Sequence, residues 1–239
     1  METALTEDAL LGGRVRLLQS RRGYRVAVDA VLLAAAVHPG PGERVLDLGA
    51  GVGAVGLCLA KRVADCTIVG VELQPALAQL GQRNATRNGF GERLSTIVHD
   101  IALPLPDLGL FDQVATNPPY MAAAAADPSP DRSKALATVE STADLERWLK
   151  VATGALKPAG TLTLIHRADR LEEIAAHLVR LGFGALTVKR LPPAARVLVR
   201  ARRGPPSVGQ SLPLTLHKPE GGYTEAAEAI LRHAAALDF

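Results

Sequence analysis

Aromatic residues make up only 3% of this 239-residue chain, so its core must be built from Ala, Leu and Val. Cysteine is nearly absent, with Cys58 and Cys66 the only two. Their spacing suits neither a metal site nor a redox pair, and both sit in apolar segments. They read as reduced, packed thiols of a cytoplasmic protein. No apolar run approaches the ~20 residues of a membrane span, so no membrane partner is expected. The first residues include Glu2, Glu7 and Asp8, whereas a secretory leader needs a basic start and an apolar stretch. The six histidines fall at no ligand spacing, and no metal is expected.

What is present has globular proportions, 48% hydrophobic and 21% charged, which excludes wholesale disorder. The length suits one α/β unit, or one with an appendage. Net charge is only +3, but its distribution is uneven. Between Ala9 and Val28 stand Arg14, Arg16, Arg21, Arg22 and Arg25, with no acid. Between Ala185 and Pro219 stand Lys189, Arg190, Arg196, Arg200, Arg202, Arg203 and Lys218, again with no acid. Two basic flanks around a neutral body suit a polyanionic partner. A weak boundary near Gly42 divides a basic N-terminal arm, 1–41, from a main domain, 42–239, with a basic extension.

Short apolar runs at Arg44–Gly49, Cys66–Glu72, Leu94–His99, Phe111–Thr116 and Thr161–Ile165 predict strands. Helical patterns at Val52–Val63, Pro75–Asn88, Thr142–Leu156 and Asp169–Leu181 alternate with them. Lys157-Pro158-Ala159-Gly160 reads as a helix stop. Alternation of this kind calls for a doubly wound, mostly parallel sheet. Further strands at Ala185–Arg190, Arg196–Ala201 and Leu212–Leu216 follow one another, so an antiparallel edge strand is expected. Ala226–Ala236 predicts a closing helix. Met121–Ala137 is the one long irregular stretch.

Two motifs carry chemistry. The first is Asp47-Leu48-Gly49-Ala50-Gly51-Val52-Gly53, at a strand-to-helix turn. Its glycines let the backbone approach a ligand, and the helix N-terminus offers free N–H groups. Gly51, Gly53 and Gly56 also satisfy a dinucleotide pattern. Asp47 before the glycines would repel a pyrophosphate and attract a cationic ammonium or sulfonium ligand. S-adenosylmethionine carries both cations and no phosphate. Glu72, beside Leu73, can take two ribose hydroxyls, and Asp100 can accept from an adenine amino group. The second motif is Asn117-Pro118-Pro119-Tyr120, a rigid turn with few donors. The Asn117 side-chain oxygen and the Pro118 carbonyl suit an amino group bearing two hydrogens. Tyr120 can stack on a ring.

Together the two motifs resemble the signature of class I S-adenosylmethionine-dependent methyltransferases of the N-P-P-Y type, which modify amino groups. Arg22-Gly23-Tyr24, Asp29–Ala34, Arg196–Gly204 and Gly221–Ala227 narrow the likeness to bacterial tRNA (adenine-N6)-methyltransferases. Those enzymes act on the adenine 3′ of a valine anticodon. The resemblance implies a Rossmann-like fold with a seven-stranded sheet. It implies that Tyr24, Asp29, Asp47, Gly49, Gly51, Glu72, Leu73, Asp100, Ile101 and Asn117 hold the cofactor. It implies that Asn117, Pro118, Pro119 and Tyr120 position the amine. The flanks would then grip tRNA through Arg21, Arg22, Arg196, Arg200, Arg202 and Arg203, in a protein acting as a monomer. Met121 departs from the aromatic found in many relatives. Methylation of a protein glutamine, as in release-factor methyltransferases, uses the same tetrapeptide and stays open. So do a small-molecule acceptor and a catalytically silent RNA-binding module.

Overall fold

Strands buried on both faces need continuous apolar runs, and the centre of the molecule is built from such runs. The computed structural model describes residues 4–23, 25–120, 143–205 and 207–239. In chain order it contains a hairpin of β1 (Leu5–Leu10) and β2 (Val15–Ser20), then α1 (Val28–Ala36), β3 (Glu43–Leu48), α2 (Ala54–Arg62), β4 (Cys66–Glu72), α3 (Pro75–Arg87), β5 (Leu94–Val98) and β6 (Phe111–Thr116). From residue 143 onward come α4 (Leu145–Gly154), β7 (Leu156–Arg167), α5 (Leu171–Arg180), β8 (Phe183–Arg190), β9 (Arg196–Arg203), β10 (Ser207–Gln210) and α6 (Glu225–His233).

The main sheet has the order β10-β8-β9-β7-β6-β3-β4-β5. Strands β3 to β7 pair in parallel, and β9 runs antiparallel to both β7 and β8. The doubly wound, mostly parallel α/β architecture is therefore present, with eight strands where seven were expected. The antiparallel strand β9 lies inside the sheet because β8 pairs along its outer side, and β10 adds a short parallel edge beyond β8.

Side chains alternate across each strand. On β3, Val45 packs into a core with α1, α2, α3 and α6, while Leu46 and Leu48 face a second core under α4 and α5. Two layers of helices thus enclose the sheet. The hairpin is clasped to α3 by two asparagines one turn apart. Asn84 accepts from the Leu18 N–H at 2.8 Å and donates to its carbonyl at 2.9 Å. Asn88 does the same with Arg16, at 2.9 and 2.7 Å. The side-chain amides stand in for a neighbouring strand.

Two strand readings need correction. The expected strand at Leu212–Leu216 is not one, and the edge strand lies earlier, at Ser207–Gln210. The following segment tracks β8 through isolated bonds, Ser211 N–H to Val188 O and Leu214 N–H to Arg190 O. Pro213, which has no N–H, breaks the ladder between them. The strand expected at Thr161–Ile165 begins earlier, at Leu156. Lys157–Gly160 is an irregularity within it, since Phe111 pairs with Leu156 and Gln113 with Thr161. Helix α4 stops at Gly154, and the segment that read as its stop lies inside β7.

Candidate active site

Strand order reverses between β3 and β6, which lie side by side but lead outward in opposite directions. Ligands of open α/β sheets bind beyond the carboxyl ends of the strands at such a point. Both sequence motifs sit there. The glycine turn follows β3 and the tetrapeptide follows β6.

The turn requires its glycines. Gly49, Gly51 and Gly53 have φ of +82°, +57° and +84°, a region unfavourable to side chains. A Cβ on Gly49 would lie 2.5 Å from Cη2 of Trp148, whereas one on Gly51 would meet nothing within 4 Å. Gly49 is thus the contact point of an aromatic wall, and Gly51 faces open space. Trp148, on α4, packs on the second core and lines the cleft. Among the described residues, Gly49, Gly51, Glu72, Leu73, Asp100, Ile101 and Asn117 also line it, as do Pro118, Pro119 and Tyr120. Its enclosed volume is about 150 Å³.

Glu72 braces the turn. Its carboxylate accepts from the Gly51 N–H and the Gln74 N–H, each at 2.8 Å. Burial nonetheless pushes its pKa upward. Each oxygen keeps a further lone pair for a hydroxyl donor. Asp47 does not line the cleft. It lies beneath the turn, 2% exposed, with Oδ2 unpartnered among the described residues. Burial raises its pKa to about 7; the Gly56 N–H pulls the other way, and the nearby Glu72 charge adds to the rise. Asp100 holds its own loop through the Ala102 N–H at 2.9 Å.

At the end of β6, the Thr116 hydroxyl donates to the Leu48 carbonyl at 2.8 Å and ties the two motif-bearing strands together. The next side chain, Asn117, has a buried Oδ1 with no partner among the described residues. A buried acceptor left unpaired costs about 1–3 kcal/mol, so this atom is set up for a donor from outside the described residues. Tyr120 donates from its hydroxyl to Asp29 Oδ2 at 2.7 Å. Asp29, at the start of α1, is not among the described residues that line the cleft and meets it through Tyr120.

Sequence reasoning missed His166 at this site. It is 0% exposed, at the end of β7. Its ring meets the Tyr120 ring edge-on at 5.2 Å. Burial, and then the charge of Arg170, lower its pKa to about 4. It is therefore a neutral ring at neutral pH. No spacing signal points to it; only the pairing of β7 with β6 brings it there.

The arginines assigned to RNA divide. Arg21 and Arg22 are exposed, in the turn that leads from β2 to Val26 on the cleft wall. Arg196 pairs with Arg167 at the cleft end of the sheet. Arg202 and Arg203 are exposed at the opposite end, because β9 runs antiparallel and Arg202 pairs with Thr161. Six residues of strand separate Arg196 from Arg202, roughly 20 Å. Arg200 lies between them, donates to the Ala36 carbonyl at 2.8 Å and covers the Phe239 ring. Arg190, exposed at the cleft end of β8, adds a cation that the sequence left unassigned. Tyr24 and Met121–Ala137 lie outside the described residues. Among those described, no group of three or more His, Cys, Asp or Glu could hold a metal, and no helix is long and apolar enough to cross a membrane.

The acceptor set fits a nucleoside-containing cation: a carboxylate with one oxygen unpartnered among the described residues beneath a glycine turn that faces open space, a braced acid for a diol, and an unpartnered amide oxygen beyond. Comparison with known proteins agrees. Residues 25–180 match the profile of the methyltransferase small domain family. A Porphyromonas gingivalis protein named tRNA1(Val) (adenine(37)-N6)-methyltransferase is 32% identical over 189 residues, covering 73% of this chain and 72% of its own. A protein of the same name from Aeromonas hydrophila is 30% identical over 211 residues, covering 86% and 87%. Among solved structures, a predicted O-methyltransferase from Agrobacterium tumefaciens superposes with a TM-score of 0.70 at 26% identity, over 87% of this chain and 98% of its own.

Proposed function

The chain belongs to the methyltransferase small domain family, and from that premise we propose that it methylates the exocyclic N6 amine of adenine 37 in the anticodon loop of a valine tRNA. The enzyme class is an S-adenosylmethionine-dependent N-methyltransferase. The acceptor is the one printed in the names of its relatives, and the site chemistry supports it.

The observation that carries the reading is the buried Oδ1 of Asn117 in the cleft wall, unpartnered among the described residues. An exocyclic amine has two N–H donors and a lone pair delocalised into its ring. Asn117 Oδ1 and the Pro118 carbonyl accept from those two N–H groups. They hold the nitrogen and stabilise the positive charge that develops on it. Tyr120 supplies a stacking surface. S-adenosylmethionine, when bound, would supply an electrophilic methyl group, its sulfonium becoming the neutral thioether of S-adenosylhomocysteine. Gly49 and Gly51 would admit its methionine portion, Asp47 would attract the ammonium from below, and Glu72 and Asp100 would accept from the ribose and the adenine. The amine loses its proton to solvent only after the new bond forms, so the chain needs no strong base.

An anticodon-loop base is single-stranded and enters a pocket at low unstacking cost. Arg21 and Arg22 near the mouth and Arg190 at the cleft end of β8 can meet its phosphates. Arg202 and Arg203 can reach only a more distant part of so large a substrate. We assign the protein to the cytoplasm, acting as a single chain.

The test is incubation with labelled S-adenosylmethionine and unmodified bulk tRNA, followed by nucleoside analysis, with Asn117→Ala alongside. N6-methyladenosine from the wild type, reduced at least a hundredfold in the variant, is expected. Absence of label in RNA, with cofactor still bound, would remove the tRNA reading and leave a protein amide or a small amine as acceptor.

A further inference from the structure

Tyr120 is held more firmly than a stacking surface requires. Its hydroxyl donates to Asp29 Oδ2 at 2.7 Å. The same oxygen accepts from Arg196 Nε at 3.2 Å. The Arg196 guanidinium also lies over the Tyr120 ring, 4.4 Å from its centroid. His166 closes the ring edge at an interplanar angle of 69°. The three partners come from α1, β9 and β7, which are far apart in sequence. Asp29 and Arg196 are 15% and 28% exposed at their side chains, so their pairing is shielded from water.

The arrangement is self-consistent. An ionised Asp29 is the acceptor that a phenol bonds most strongly. Arg196 compensates that charge and at the same time covers the ring face. A tyrosine has two side-chain torsions, and a bond at its tip plus a cation on its face fix both. The face beneath Arg196 is not available to a planar acceptor, so a base enters against the part of the ring that lines the cleft.

We propose that Asp29 and Arg196 are positioning residues that clamp Tyr120 beside Asn117, rather than contacts to cofactor or to RNA phosphate. This rests on the reading of the cleft as an amine methyltransferase site. It gives Asp29 and Arg196 a single joint task in place of the two separate ones expected from the sequence.

The test combines Tyr120→Phe, Asp29→Asn, Arg196→Met, Arg196→Lys and the double variant Asp29→Asn/Tyr120→Phe. Trp148 is the one tryptophan of the chain and lines the cleft, so its fluorescence reports binding of S-adenosylhomocysteine without turnover. Arg196→Met and Asp29→Asn should each lower kcat on tRNA by about tenfold or more. Affinity for S-adenosylhomocysteine should stay within about twofold in both. Arg196→Lys should recover part of the loss, because it restores the charge but not the planar cover. Asp29→Asn should cost little further once Tyr120 is Phe. Losses that add in the double variant, or that fall equally on cofactor affinity, would overturn the clamp.

A second measurement separates this from the acceptor assignment. The chain has three tyrosines, so ring-labelled tyrosine resolves by NMR, and Tyr120→Phe identifies the Tyr120 signal. Asp29→Asn and Arg196→Met should both move that signal in the RNA-free protein. An unmoved signal overturns the clamp even if methylation falls. A moved signal in a protein that methylates no tRNA supports the clamp and removes the acceptor assignment alone.

Discussion

Replacing Asp47 by Asn deletes one ionisable group from beneath the glycine turn, and the consequence has a definite sign. Burial raises the Asp47 pKa from 3.8 to about 7 in the ligand-free protein. In the unfolded chain the group ionises at its ordinary value near ~3.9. Between those values the unfolded state has lost a proton that the folded state keeps. Folding stability therefore falls as pH rises from about 4 to about 7, and levels off above. A separation of about three units corresponds to ~4 kcal/mol over the whole range, of which ~2–3 kcal/mol lies between pH 5 and pH 8. Asp47→Asn has no such titration. Urea unfolding of both ligand-free proteins at the two pH values measures the difference. The wild type should lose ~2–3 kcal/mol more than the variant on going from pH 5 to pH 8. Glu72, whose pKa is also raised, is common to both and cancels in first order. Parallel pH profiles would refute the reasoning, because they would mean that Asp47 is already ionised and satisfied in the free protein.

Gly49→Ala should destabilise the protein by ~2–4 kcal/mol, from the cost of φ +82° for an L-residue and the collision with Trp148. Thermal melts read it, and trimming the ring with Trp148→Leu in the same chain should return the collision part but not the backbone part. Full additivity of the two substitutions would count against the contact. Replacing Arg21 and Arg22 together with Ala should weaken tRNA binding. It should also flatten the plot of log affinity against log salt by about 1–2 units. An unchanged slope would place phosphate contacts elsewhere, with Arg190 the first candidate.

The parts of the molecule that were legible in the sequence were those with local causes. The glycine turn could be read because three left-handed residues in five positions leave only glycine, and the tetrapeptide because two prolines fix its shape without neighbours. The strands of the parallel core announced themselves as unbroken apolar runs. Strand direction was not legible. Arg196 and Arg202 look equivalent in the sequence, yet the antiparallel course of β9 puts one at the cleft and the other at the far end of the sheet. The cleft-facing side of Trp148, which also packs on the second core, is visible only in its fit against Gly49. His166 and the Asp29–Tyr120–Arg196 cluster are joined across 46 to 167 positions by sheet pairing and helix packing, so no spacing rule could propose them. The hairpin was hidden for a related reason. Its outer strand, with Glu7 and Asp8, looks like solvated chain, and its hold on the fold comes from Asn84 and Asn88 on a distant helix.

The central claim is that one adenine amine enters this cleft, and two transcripts of a valine tRNA test it most directly. One carries adenine at position 37 and the other carries guanine there, with the rest of the sequence unchanged. Labelled S-adenosylmethionine should methylate the first, with all label recovered as N6-methyladenosine, and leave the second blank. Equal label in both transcripts, or none in the first while Trp148 fluorescence shows the cofactor bound, would contradict the account.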